Sequence, residues 1–204
     1  MSERSPILIE IPETLDGPRV QLRRIRAGDA PVIAEAITES LDRLKPWMPW
    51  AHSDRTLEDT RLYAAHSEAQ WLLRESLDML VVHRETGRYL GNAGFPRLRW
   101  DIRSFEIGYW LRTSAEGQGF MREAVQLLTR LAFDVLDANR VEIQVDTANA
   151  RSSNVARRLG FLLEGTLRNS GLDGYGRPSD RHVFALTPSD YRNLDWGTLG
   201  MGYR

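Results

Sequence analysis

Apolar and polar positions along the chain switch between alternation and a spacing of about 3.6 residues, and the switches mark out its elements. "PRVQLRRIR" from Pro18 alternates and predicts a strand. "GDAPVIAEAITESLDRL" keeps helical spacing to about Leu44, with Asp29 placed to cap it. Two prolines make "KPWMPWAHSD" a loop, and "TLEDTRLYAAHSEAQWLLRE" is a second helix capped by Thr56. "DMLVVHRETGRYLGNAGFPRL" predicts a hairpin turning at Glu85-Thr86-Gly87, and "RSFEIGYWLR" predicts another strand. A helix then runs to about Leu136, followed by strand "VEIQVDT" and short helix "ARSSNVARRLG". Strands "FLLEGTLRN" and "RHVFALT" come next. "TPSDYRNL" starts a last helix, with Thr187 at the cap, Pro188 in the first position and Asp190 in the first turn. This order predicts an α/β (α+β) fold with a mixed sheet.

Composition narrows the class. The 204 residues predict one domain able to bury a sizeable core, with no internal repeat. A net charge of -1 gives no electrostatic case for nucleic-acid binding. The chain has no cysteine, which excludes disulfides, thiolate metal sites and a cysteine nucleophile. No apolar run is long enough to span a bilayer, and "MSERSPILIEIPETLDG" has no apolar leader core, so a cytoplasmic protein without membrane contact is expected. Of the four histidines, His52, His66, His83 and His182 fall in different elements without metal-ligand spacing.

The stretch "RTSAEGQGFMREAV" carries the first chemistry. Gly117 and Gly119 lie between a strand's carboxyl end and a helix start. A helix N-terminus has unpaired N–H groups and a partial positive charge, and glycines let backbone close on an anion such as phosphate. The two glycines could equally serve only to tighten the turn. Arg122 favours the anion, because a cation in the first turn opposes the helix dipole. The stretch lacks the lysine of a P-loop. A dinucleotide-binding fingerprint would need a small residue where Arg122 stands, and it usually follows a fold's first strand.

Two ordered segments carry a resemblance. "EIGYWLRTSAEGQGFMREAV" and "NARSSNVARRLGFLLEGTLR", with "RVQLRRIRAGDA", "KPWMPW" and "DRHVFALT", resemble the GCN5-related N-acetyltransferase (GNAT) superfamily, in its ribosomal-protein N-terminal acetyltransferase branch. The likeness covers roughly residues 17–190. It implies a single-domain GNAT-like fold, a mixed, mostly antiparallel sheet flanked by helices, spanning residues 17–194. An N-terminal extension (1–16) and a flexible tail (195–204) would flank it. It also implies acetyl-CoA as co-substrate without a metal, bound by Leu111, Gly117, Gln118, Gly119, Phe120, Met121, Arg122, Asn149 and Ser152. Arg151, Arg157 and Arg158 are candidates for the other phosphate. Two departures stand out. Ser114 replaces the superfamily's Arg or Gln at the start of the pyrophosphate loop, and Ala156 replaces the acidic tyrosine of many relatives.

Glu106 shares a strand face with Ser104, Gly108 and Trp110, opposite Phe105, Ile107 and Tyr109. A carboxylate on a covered strand is costly unless paired or wet, so it is either a paired glutamate or a general base at a cleft. Gly108 in mid-strand predicts a bulge or a close backbone approach. Asn149 and Ser152 suit a helix N-cap. The resemblance adds that Asn149 bonds the pantetheine arm and that Ser152 lies near the CoA sulfur, as candidate acid. Trp47, Trp50 and Tyr109 are candidate acceptor contacts, with at least one of the two tryptophans expected to cap the core.

The expected activity is acetyl transfer to a primary amine by direct attack in a ternary complex. The acceptor expected from the resemblance is a protein or peptide N-terminus of ribosomal-protein type, and a homodimer is expected by family analogy. The alternatives are acetylation of a small amine (antibiotic, polyamine or amino acid) and a non-catalytic acyl-CoA- or peptide-binding module.

Overall fold

The computed structural model describes residues 5–52 and 55–196, and the backbone of residues 202–203. The elements run β1 (Thr14–Asp16), β2 (Val20–Arg24), α1 (Ala30–Leu44), α2 (Leu57–Leu73), β3 (Leu77–His83), β4 (Tyr89–Arg99) and β5 (Ser104–Leu111). Then come α3 (Phe120–Arg130), β6 (Arg140–Asp146), α4 (Ala150–Arg158), β7 (Leu162–Leu172), β8 (Pro178–Leu186), α5 (Pro188–Arg192) and β9 (Gly202–Tyr203). The periodicity thus places the main elements, α3 being continued by a π-helical turn, Leu131–Val135. The short edge strands β1 and β9 pair with each other within the segments expected to be extension and tail.

One mixed sheet has the order β7-β8-β6-β5-β4-β3-β2-β1-β9. Every neighbouring pair is antiparallel except β5 and β6. The parallel pair is short: Ser104, Phe105 and Glu106 face Arg140, Val141 and Glu142, and no pairing follows. Both strands continue, so the sheet forks just beyond Glu106.

Two cores lie on the two faces. Phe105 and Ile107 pack with Phe120, Ala124, Leu127 and Leu128 of α3 and Ala156 of α4. Leu80, Tyr89 and Trp110 pack with Ile33, Ala36 and Ile37 of α1 and Ala64 of α2. Strand alternation therefore aims Glu106, Gly108 and Trp110 toward α1 and α2, and Tyr109 toward α3 and α4.

Local chemistry explains the frame. Thr56 and Thr187 cap α2 and α5, each in a reciprocal box with Asp59 or Asp190. Asp29 does not cap α1 as expected. A 3-10 turn leads straight into the helix, and the Asp29 carboxylate instead accepts from Arg26 N at 2.8 Å and from the Arg23 guanidinium. The bulge expected near Gly108 lies in the partner strand, between Gly94 and Arg97 of β4. Gly108 provides the close approach, since an added Cβ would lie 3.1 Å from Pro96 Cγ. The tip of the β7–β8 hairpin reaches the segment after α1, where Gly174 N donates to Pro46 O at 3.0 Å. Only glycine fits there, because a Cβ would sit 1.5 Å from the Lys45 carbonyl oxygen.

Candidate active site

The glycine loop leaves β5 and enters α3. Gly117 and Gly119 have φ of 75° and 82°, left-handed values that glycine adopts without a Cβ penalty. Among the described residues, no backbone N–H from Gly117 through Arg122 donates to a protein acceptor. These groups surround the positive end of α3, the arrangement that binds phosphate oxygens. Phe120 and Met121 turn their side chains into the core, so only their N–H groups face outward. Arg122 is exposed at the same end.

The loop is braced from several sides. Glu123 accepts from Arg19 N at 2.7 Å and Val20 N at 2.9 Å, and its other oxygen accepts from Arg19 Nε at 3.0 Å. Arg19 Nη1 also donates to Gln118 O at 3.0 Å. Sequence reasoning left both residues out of the site; an acid in the first turn of α3 was the available signal. Glu39 of α1 accepts from Ser114 N at 2.9 Å and pairs with buried Arg112, which holds the Glu39 carboxyl down at about 2. Arg88 donates to Ser114 Oγ at 2.8 Å. Arg151 reaches the loop and pairs with Glu116. Arg157 instead lies 5.4 Å over the Phe184 ring.

Glu106 stands at the fork. Its side chain is 17% exposed and meets Arg97 at 3.1 Å. Burial pushes its pKa up against the attraction of Arg97, and Glu142 opposite adds to the rise. It is therefore paired, as one of the two sequence-based readings expected. On the other face, Asn149 Oδ1 caps α4 by accepting from Ser152 N at 3.1 Å. That leaves the Asn149 NH2 group free to donate elsewhere. Ser152 Oγ lies 2.9 Å from the Tyr109 hydroxyl.

Tyr109 packs against the first core, on the other face of β5. Alternation turns it away from Glu106, and burial raises its phenol to about 12, so it stays protonated beside Ser152. Trp50 packs on Trp110 with centroids 5.9 Å apart and supports the second core. Trp47, half-buried, stays beside the hairpin contact at Pro46. Leu111 packs at the edge of the first core, at the base of the loop.

No group of His, Asp and Glu side chains among the described residues could hold a metal ion, and no helix among them is long and apolar enough to cross a membrane.

Comparison with known proteins agrees with this geometry. Residues 19–162 match the model of the "Acetyltransferase (GNAT) domain". A putative ribosomal N-acetyltransferase, YdaF of Bacillus subtilis, is 29% identical over 84% of this chain and 93% of its own. The ribosomal-protein-serine acetyltransferase of Escherichia coli is 26% identical over 74% of this chain and 83% of its own. The solved ribosomal alpha-N-protein acetyltransferase RimL, in complex with coenzyme A, shares the fold with a TM-score of 0.78 at 23% identity, covering 83% of this chain and 94% of that one. With the glycine loop at the head of α3 and the forked sheet beside it, the chain belongs to the GNAT acetyltransferase family.

Proposed function

We propose that this acetyltransferase moves the acetyl group of acetyl-CoA to the α-amino group of a protein or peptide N-terminus. The observation that carries the reading is the place of Glu106, at the fork and on the face opposite Ser152 and Tyr109. A base and an acid thus flank a gap through which an acyl group can pass.

Acetyl-CoA supplies the activated acyl group as a thioester. The N–H groups from Gly117 to Arg122 hold its pyrophosphate, with Arg122 and Arg151 adding charge. The Asn149 NH2 group and the unpaired edge of β5 beyond Glu106 hold the pantetheine arm. Glu106 accepts a proton from the acceptor ammonium, directly or through water. The freed amine forms the N–C bond as the C–S bond breaks. The departing sulfur takes a proton from Ser152, which Tyr109 orients by its hydrogen bond, and the proton that the nitrogen loses as the amide forms restores the Ser152 hydroxyl. Trp47 lines the acceptor side.

Physical chemistry favours a chain terminus over lysine. An α-amino group titrates near 7.7–8.0 and a lysine near about 10.4, so the terminus is already partly nucleophilic at neutral pH. A single carboxylate suits that easier deprotonation. The names of the Bacillus subtilis and Escherichia coli relatives point toward ribosomal proteins, and serine-initiated peptides are the first acceptors to test. Peptides with a free N-terminus should be acetylated faster than the same peptides N-blocked and carrying one internal lysine, read as CoA release. Equal or faster turnover of the blocked peptides would refute this acceptor.

A further inference from the structure

Asp78 of β3 has no place in the chemistry above, yet its setting is unusual. Its cross-strand row runs from Asp78 to Gly94 of β4 and on to Gly108 of β5. The row lies on the sheet face that carries Leu80, Trp110 and Glu106, next to the row of Leu80, Asn92 and Trp110. Neither Gly94 nor Gly108 raises a side chain, so a floor of bare backbone leads from Asp78 toward the fork.

The carboxylate leans over that floor. Its Oδ1 lies 2.9 Å from where a Gly94 Cβ would stand, a point also 2.5 Å from the Leu77 carbonyl oxygen and 2.6 Å from Asp78 Cα, so only glycine fits there. The space above Gly108 is bounded by Pro96, whose Cγ lies 3.1 Å from the equivalent point. For a partly buried carboxylate, Asp78 is poorly partnered. The one side-chain contact to it among the described residues is a long 3.5 Å hydrogen bond from the Tyr63 hydroxyl. That hydroxyl is itself fixed, accepting from Asn92 Nδ2 at 2.9 Å, while Asn92 Oδ1 accepts from Tyr89 at 2.6 Å. Among the described residues, no arginine or lysine forms an ion pair with it. A partly buried carboxylate without a charged partner is costly, and such a group points to a cationic ligand.

We propose that Asp78 is the acceptor-binding carboxylate: it holds the incoming ammonium on the Gly94–Gly108 floor, from where Glu106 takes the proton. This rests on the amine-acetylating reading above. Tyr63 and Asn92 are positioning residues that aim the carboxylate. The assignment separates recognition, at Asp78, from proton transfer, at Glu106.

The first test is calorimetric binding, in the presence of CoA, of a short serine-initiated peptide and its N-acetylated twin. Wild type should favour the free amine by about tenfold or more, the loss expected when one charge-assisted hydrogen bond is removed. Asp78→Asn should bind both alike, with unchanged affinity for acetyl-CoA. A preference that survives in Asp78→Asn, or a parallel loss of acetyl-CoA affinity, overturns the proposal. If wild type binds neither peptide, the peptide reading fails and the comparison is made with propylammonium. Binding to wild type and not to Asp78→Asn then supports the assignment; equal binding, or none, overturns it.

Stability supplies a second readout. Enclosure pushes Asp78 up to about 6, against the hydrogen bond from Tyr63. Its titratable neighbours, Tyr63 and, through Asn92, Tyr89, are pushed upward by burial and stay protonated. The folded chain therefore binds this proton more tightly than the unfolded one. Stability is lost as pH rises from the ordinary carboxylate range through about 6. Asp78→Asn should then have a higher Tm than wild type at pH 8 and an equal one in acid. A lower Tm at pH 8 would make Asp78 a structural residue and overturn the assignment.

Discussion

Gly119→Val is expected to abolish measurable acetyl-CoA binding while leaving a folded protein. At φ 82° a β-branched side chain is strained, and the loop must leave the left-handed region to accept it. That movement turns the N–H groups of Gly119 and Phe120 away from the phosphate position. The new side chain also enters the ligand's approach, where the one neighbour of a Cβ among the described residues is Arg19 Nη2 at 3.4 Å. The core is spared, because Phe120 and Met121 remain anchored by packing and Glu123 remains anchored to β2. Calorimetry with acetyl-CoA, alongside circular dichroism, checks this. Retained binding in a folded variant would remove the pyrophosphate from this loop.

Glu106→Gln is expected to lower kcat by about 10²–10⁴-fold, the usual contribution of a positioned acid or base, with little change in the KM for acetyl-CoA. The pH profile gives the sharper test. Glu106 works ionised, and burial and Glu142 raise its pKa. Wild-type activity should fall as pH drops through that raised value, and the variant should lose this acidic limb. Ser152→Ala should lower kcat in the same manner, and Tyr109→Phe should do so less, since Tyr109 acts through Ser152. Wild-type kcat in both Glu106→Gln and Ser152→Ala, with an acceptor the enzyme turns over, would show that the chemistry lies elsewhere.

Much of this architecture can be read from local sequence because its causes are local. The Thr56 and Thr187 caps, the turn at Gly87 and the amphipathic α3 all rest on residues a few positions apart. The glycine loop is legible for the same reason. What escapes is made by residues distant in the chain. Arg19 reaches Glu123 and Gln118 from β2's start, and the Tyr109 hydroxyl meets Ser152 three elements later. The Asp78 floor needs the registers of three strands at once. Tyr109 shows how the two levels combine. Alternation correctly separates it from Glu106, but which face holds CoA and which holds the acceptor depends on where the helices pack.

The unoccupied donors at the head of α3 also bear on hydrogen exchange. The amides from Gly117 to Arg122 sit in a braced frame, yet no backbone carbonyl among the described residues accepts from them. In free protein they should trade hydrogen for deuterium nearly as fast as an unfolded chain, while the neighbouring amides of Leu127 and Leu128, deep in the helix, stay protected. Acetyl-CoA should slow the first group and leave the second unchanged. A footprint of that form would identify the pyrophosphate seat before any acceptor is known.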